Sequence, residues 1–106
     1  MSDNKSIKGK WALVTGSSHG IGQYIAKGLA ECGCNVIVHG RALENTKPTM
    51  ELLSQYDVAA FAVAGELGDV EAESVMVEMV NKKVEAIDIL YNNAAIGTEY
   101  NEDMFA

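Results

Sequence analysis

Apolar residues alternate between short continuous runs and helical spacings along this chain. Lys10 to Thr15 contains the run Trp11-Ala12-Leu13-Val14, the pattern of a parallel strand covered on both faces. Between 21 and 32 the period changes. Ile21, Ile25 and Leu29 recur every fourth residue and predict one face of a helix. Ala26 and Gly28 are small enough to let that helix approach a sheet. Gly33 falls just past its end, where a left-handed residue is commonly needed. Asn35 to His39 predicts a second strand, with Val36, Ile37 and Val38 all β-branched.

Asn45 or Thr46 is the expected N-cap of a second helix reaching about Gln55, with Pro48 in the first turn, where proline is tolerated. Val58 to Ala64 predicts a third strand. Asp69 is expected to cap a third helix. Glu71 and Glu73 lie near its positive end and Lys82 and Lys83 near its negative end. Val75, Met76, Met79 and Val80 are its expected buried stripe. Ala86 to Tyr91 predicts a fourth strand, followed by Asn92-Asn93-Ala94-Ala95-Ile96-Gly97. The order βαβαβαβ with short connections predicts an α/β fold, a parallel sheet with helices on both faces and right-handed crossovers.

The chain of 106 residues is the size of one domain. An apolar content of 48% with 22% charged residues and a single proline is an ordinary globular balance. The net charge of −7 argues against a nucleic-acid surface and against an anionic membrane. The opening residues MSDNKSIK contain no apolar core of a secretory signal. No apolar run approaches the roughly 18 residues of a membrane span, so none is expected. Cys32 and Cys34 are one residue apart, and a bridge between them would close a strained ring. They are expected to be small buried thiols, and the chain is expected in a reducing cytoplasm.

The candidate chemistry begins where the first strand ends, in Thr15-Gly16-Ser17-Ser18-His19-Gly20-Ile21-Gly22. A strand, a glycine loop and a helix in that order present backbone N–H groups to a pyrophosphate. The spacing Gly16-x-x-x-Gly20-x-Gly22 is not the commonest dinucleotide fingerprint, and it lacks the G-K-[ST] ending of a triphosphate loop. Gly16 permits the turn out of the strand. Gly20 lets phosphate oxygens approach the backbone. Gly22 allows close contact between helix and strands. Ser17, Ser18 and His19 are expected to supply donors around the loop.

T-G-x-x-x-G-I-G after the first strand resembles the short-chain dehydrogenase/reductase family. Asn92-Asn93-Ala94-Ala95 after the fourth strand resembles that family's N-N-A-G, with Ala95 in place of the usual glycine. The likeness extends from about Ile7 onward. It implies a partial Rossmann fold, a four-stranded parallel sheet of order 3-2-1-4 with flanking helices. It also implies that Gly16, Ser18, Gly20, Ile21 and Gly22 line the cofactor pyrophosphate and ribose. Asn93 and Ala94 would then sit beside the adenosine ribose, with Ile96 and Gly97 towards the nicotinamide. Glu66 aligns with the family's adenine-binding Asp, followed by Leu67 as the usual apolar neighbour.

An acidic residue at the end of the second strand would select NAD. The segment here is His39-Gly40-Arg41-Ala42, with no carboxylate until Glu44. Arg41 is placed to meet a 2′-phosphate with a planar, charge-assisted fork, which predicts NADP(H) over NAD(H). His39 itself is expected to be a satisfied strand-end histidine. Neither His19 nor His39 has a cysteine or carboxylate at ligand spacing, so no metal site is expected.

The family's chemistry needs a Tyr-x-x-x-Lys pair and an upstream Ser, the Tyr exchanging a proton with the substrate oxygen as hydride moves. Four residues beyond Tyr24, Tyr56, Tyr91 and Tyr100 stand Gly28, Ala60, Ala95 and Met104. No catalytic residue can be assigned. Residues 1–106 therefore read as the N-terminal half of a dinucleotide-binding domain, lacking the catalytic part and inactive alone. The whole would be an oxidoreductase acting on a small-molecule carbonyl or secondary alcohol. The alternatives are a natural non-catalytic NADP(H)-binding module or subunit, and a fragment that acts only through interaction. The apolar fourth strand would be left as a sheet edge, a template for pairing with another chain, so a homo-oligomer is expected.

Overall fold

The computed structural model describes residues 7–93. Four parallel strands, β1 (Trp11–Val14), β2 (Asn35–Gly40), β3 (Ala60–Ala64) and β4 (Ile89–Tyr91), lie in the order β3-β2-β1-β4. They alternate with helices α1 (Gly20–Glu31), α2 (Lys47–Leu53) and α3 (Val70–Lys83). Successive strand residues face opposite sides, and the core divides accordingly. Val14, Val36 and Val38 pack with Ala26 and Ala30 of α1 and Leu53 of α2. On the other face Leu13, Ile37 and Val63 pack with Met76, Val80 and Val84. Both faces are covered, as the continuous apolar runs require. The fold is therefore the α/β, Rossmann-like sheet of order 3-2-1-4 with flanking helices.

Five expectations about the helices and strands are corrected. The inner line of α1 is Gly22, Ala26 and Ala30, whereas Ile21 is 71% exposed. Only small side chains fit where a helix lies closest to the strands. Ile25 and Leu29 pack at its flank, and a Cβ on Gly28 would meet nothing within 4 Å, so that glycine is not a sheet contact. On α3 only Met76 and Val80 of the expected stripe are buried. Val75 and Met79 each precede a buried residue by one position, about 100° around the helix, and both are exposed.

Neither Asn45 nor Thr46 caps α2. Residues Leu43–Thr46 form a 3-10 turn that runs directly into the helix. The Thr46 hydroxyl donates to the Leu43 carbonyl (2.6 Å) and leaves no oxygen directed at the helix. Strand β4 is also shorter than Ala86 to Tyr91. At its start the Asp88 carboxylate accepts from the Trp11 N–H (3.0 Å), taking the place of a strand carbonyl.

The left-handed turn after α1 is realised as expected. Gly33 has φ +87°. Cys32 and Cys34 form no disulfide; Cys34 is buried as expected, whereas Cys32 is only half-buried. Burial first, then the Asp88 charge and Cys32, push the Cys34 thiol above its ordinary pKa, so it stays protonated. No helix among the described residues is long and apolar enough to cross a membrane.

Asp69 caps α3 through its Oδ1, which accepts from the N–H groups of Glu71 (3.0 Å) and Ala72 (3.2 Å). Asp69→Ala removes both bonds and is expected to lower unfolding free energy by about 1 kcal/mol, measured by urea denaturation. An unchanged midpoint would show that the cap contributes nothing.

Candidate functional site

In the order β3-β2-β1-β4, the chain builds outward from β1 to one side and then returns to place β4 on the other. The carboxyl ends of β1 and β4 therefore flank the point where strand order reverses, the position at which open α/β sheets form a crevice. The glycine loop follows β1 and Asn93 follows β4, so the topology brings both motifs to that crevice.

Gly16 turns out of β1 with φ +65°. Its N–H donates to His39 Nδ1 (2.9 Å), and its carbonyl accepts from Asn93 Nδ2 (3.3 Å). The Asn93 N–H donates to Thr15 Oγ1 (2.9 Å). The two motifs, far apart in sequence, are thus joined directly. A Cβ on Gly22 would lie 2.7 Å from Asn93 Nδ2 and would run into the Gly16 carbonyl. This is the close helix–strand contact expected of that glycine.

The loop floor is polar and fully bonded. Ser17 is buried. Its hydroxyl donates to the Val14 carbonyl (2.7 Å) and accepts from the His39 N–H (2.9 Å). Its own N–H donates to the His39 carbonyl (2.9 Å). The expectation that Ser17 offers a donor to a ligand is therefore corrected, because its hydroxyl and its N–H are both engaged inside the protein. Ser18 Oγ lies 3.0 Å from His19 Nδ1. Buried Thr49 of α2 reaches under the loop, its hydroxyl donating to the carbonyls of Ser17 (2.8 Å) and Ser18 (3.2 Å). Gln23 Nε2 in turn donates to Thr49 Oγ1 (2.9 Å). No local pattern pointed to Thr49, since a threonine inside a short helix carries no mark of what it touches.

With the loop carbonyls turned down, the N–H groups from Ser18 to Gly22 have no acceptor among the described residues. Three of them open α1, where helix geometry leaves the first donors unpaired and the dipole favours negative charge. Gly20 has φ +63°, and a Cβ there would meet nothing within 4 Å, so space is open above it. Free donors, open space and a helix N-terminus match what a pyrophosphate requires.

Beyond the loop, Arg41 at the end of β2 is 79% exposed and forms an ion pair with Glu66 beyond β3 (3.4 Å). Both groups stand on the same side of the crevice, at the ends of neighbouring strands. Leu67 packs on the core beside α3. His39 is 2% exposed with both ring nitrogens bonded, as expected of a satisfied strand-end histidine. Ala94, Ala95, Ile96 and Gly97 lie outside the described residues.

A parallel sheet with this reversal point and glycine turn defines a doubly wound nucleotide-binding fold. A model of the short chain dehydrogenase family matches residues 10–105, and the chain belongs to that family. Over 91 residues it is 41% identical to a 3-oxoacyl-[acyl-carrier-protein] reductase of Aquifex aeolicus, covering 85% of this chain and 37% of that protein. Among solved structures it resembles a 3-oxoacyl (acyl-carrier-protein) reductase of Agrobacterium tumefaciens with NADP bound. The TM-score is 0.76 and the identity 37%, covering 84% of this chain and 34% of that one. It also resembles L-sorbose reductase of Gluconobacter frateurii complexed with NADPH and L-sorbose, with TM-score 0.80 and 33% identity. That match covers 94% of this chain and 38% of that one. The chain thus spans little more than a third of the length of these relatives.

Gly22→Ala is expected to force the start of α1 away from Gly16 and Asn93. The cost is about 1–3 kcal/mol of stability, the range for overpacking a tight contact. Thermal unfolding checks it, and an undisturbed midpoint would mean that the contact yields freely.

Proposed function

We propose that this chain is the NADP(H)-binding portion of an oxidoreductase that reduces a carbonyl or oxidises a secondary alcohol by hydride transfer. The observation that carries the reading is the row of N–H groups from Ser18 to Gly22, unpaired among the described residues, at the strand-reversal point. Arg41 stands at the end of β2, where a carboxylate would mark the other cofactor. In this reading Ser18, His19, Gly20, Ile21 and Gly22 cradle the pyrophosphate on a turn opened by Gly16. Arg41 forks onto the 2′-phosphate. Glu66 and Leu67 border the adenine. Asn93 and Ala94 border the adenosine ribose, and Ala95 and Gly97 continue towards the nicotinamide. The nicotinamide, when bound, supplies the hydride acceptor or donor. No residue of this chain is assigned to proton transfer. Residues 1–106 are read as the N-terminal half of the cofactor domain, the substrate-facing groups belonging to the remainder of the protein.

The Arg41–Glu66 pair fits this role. Both side chains are largely exposed, and such pairs contribute only about 0–1 kcal/mol. A doubly charged phosphate is therefore a stronger partner for the guanidinium than Glu66. The NADP and NADPH complexes of the relatives support the choice of cofactor. The absence of a disulfide at Cys32 and Cys34 suits a reducing cytoplasm.

NADPH is expected to bind more tightly than NADH at moderate salt, by titration of cofactor fluorescence. Arg41→Ala is expected to weaken NADPH by roughly ten- to a hundredfold, the loss of one charge-assisted contact, and to leave NADH nearly unchanged. Equal affinity for the two cofactors in the unmodified chain would remove the basis for the NADP(H) assignment.

The outer edge of β4 pairs with no strand among the described residues, and Leu90 and Tyr91 are exposed. The proposal extends to self-association of the isolated 106-residue chain through this edge. Sedimentation should show dimers or larger species that Leu90→Lys disperses; a monomer at all concentrations would contradict it.

A further inference from the structure

We infer that His39 is the positioning residue of the cofactor site, a neutral imidazole that aligns the glycine loop by accepting the Gly16 N–H. The inference rests on the reading of that loop as a dinucleotide cradle, and it assigns a role to a buried titratable group outside the cradle.

His39 is the penultimate residue of β2, between the two loops that border the crevice. Towards β1, Nδ1 accepts from Gly16 N–H at 2.9 Å. Towards β3, Nε2 lies 2.9 Å from the Gly65 carbonyl oxygen. A carbonyl can only accept and an N–H can only donate, so the partners fix one protonation state: Nδ1 bare, Nε2 protonated. The backbone of the same residue adds two bonds to the loop, accepting from Ser17 N–H and donating to Ser17 Oγ. Gly16 and Ser17 are therefore held by three hydrogen bonds to one residue.

The ring bond differs from the other two in what it does to the loop. It holds the Gly16 N–H inward, while the Gly16 carbonyl, antiparallel to the Ser17 N–H across their shared peptide, is turned to Asn93 Nδ2 by the Ser17–His39 backbone bond. The next N–H groups, from Ser18 to Gly22, have no acceptor among the described residues. The Nε2 half ties the same ring to Gly65, whose neighbour Glu66 pairs with Arg41. One imidazole thus joins the phosphate end of the site to its adenosine end.

The two halves of the ring can be tested separately. An asparagine places Oδ1 at the same bond distance from Cα as Nδ1, so His39→Asn keeps an acceptor for Gly16 and drops the bond to Gly65. A glutamine places its amide one bond further out, so His39→Gln keeps a donor for Gly65 and loses the Gly16 acceptor. Both variants should lose similar thermal stability, since each forfeits one buried bond. Their NADPH affinities should separate: His39→Asn within about threefold of the unmodified chain, His39→Gln weakened by about tenfold, the worth of one aligned hydrogen bond. A role in stability alone would weaken both equally. Tight binding by His39→Gln, or equal weakening in both, overturns the inference.

Amide hydrogen exchange reads the same order without cofactor. Gly16 should stay protected in His39→Asn and lose protection in His39→Gln. If the unmodified chain binds no NADPH, the cofactor reading fails, and this exchange result still decides whether His39 aligns the loop. If neither variant folds, nitrogen-15 NMR of the unmodified chain decides. A scalar coupling between the Gly16 amide nitrogen and a bare Nδ1, with Nε2 protonated, is expected; the opposite tautomer overturns the assignment.

Discussion

Gly16 is held at both of its polar backbone atoms by residues that arrive from other strands. His39 at the end of β2 takes its N–H, and Asn93 beyond β4 meets its carbonyl. The glycine turns left-handed at φ +65°, a conformation that costs an L side chain dearly. Everything at the crevice follows from that turn. It sets the distance between β1 and the start of α1, it demands the absence of a side chain on Gly22, and it decides which N–H groups face outward. A residue without an acceptor in place of His39 would leave the part-buried Gly16 N–H without this partner, at a cost of about 1–3 kcal/mol.

The sheet supplies the rigidity that such a turn needs. Both faces of β1 and β2 are buried, with Ala12, Val14, Val36, Ile37 and Val38 excluded from solvent. Parallel strands in this setting do not slide, because a shift by one residue would move every side chain to the wrong face. The register Ala12–Val36 and Ala12–Ile89 therefore fixes the ends of three strands relative to one another. Those ends carry Gly16, His39 and Asn93. The polar floor beneath the loop then closes with Ser17 and Thr49, and no buried side-chain nitrogen or oxygen among the described residues lacks a partner.

Charge is distributed in keeping with this arrangement. The chain is acidic overall, yet the turn between β1 and α1 contains no carboxylate. An anion at the crevice would meet unpaired N–H groups and the positive end of α1, with Arg41 at its rim. Glu66 balances Arg41 across two strand ends without burying either group, so the pair stays open to exchange.

The sequence implied the order of the sheet through its resemblance to a family, and by itself determined the alternation of strands and helices, the glycine turn and the Asp69 cap. These are written in local spacing: apolar runs for strands, positive-φ glycines at turns, a carboxylate one residue before a helix. Tertiary structure alone decided which line of α1 faces the sheet, that Ser17 turns inward, that Thr49 supports the loop and that Arg41 meets Glu66. It also decided that the strand-end histidine is the point where the glycine loop and the segment after the third strand meet. Those facts depend on residues separated by more than twenty positions. Periodicity reports which side of its own element a residue occupies. Only the packed sheet, by fixing the strand ends in register, reports what stands on the other side.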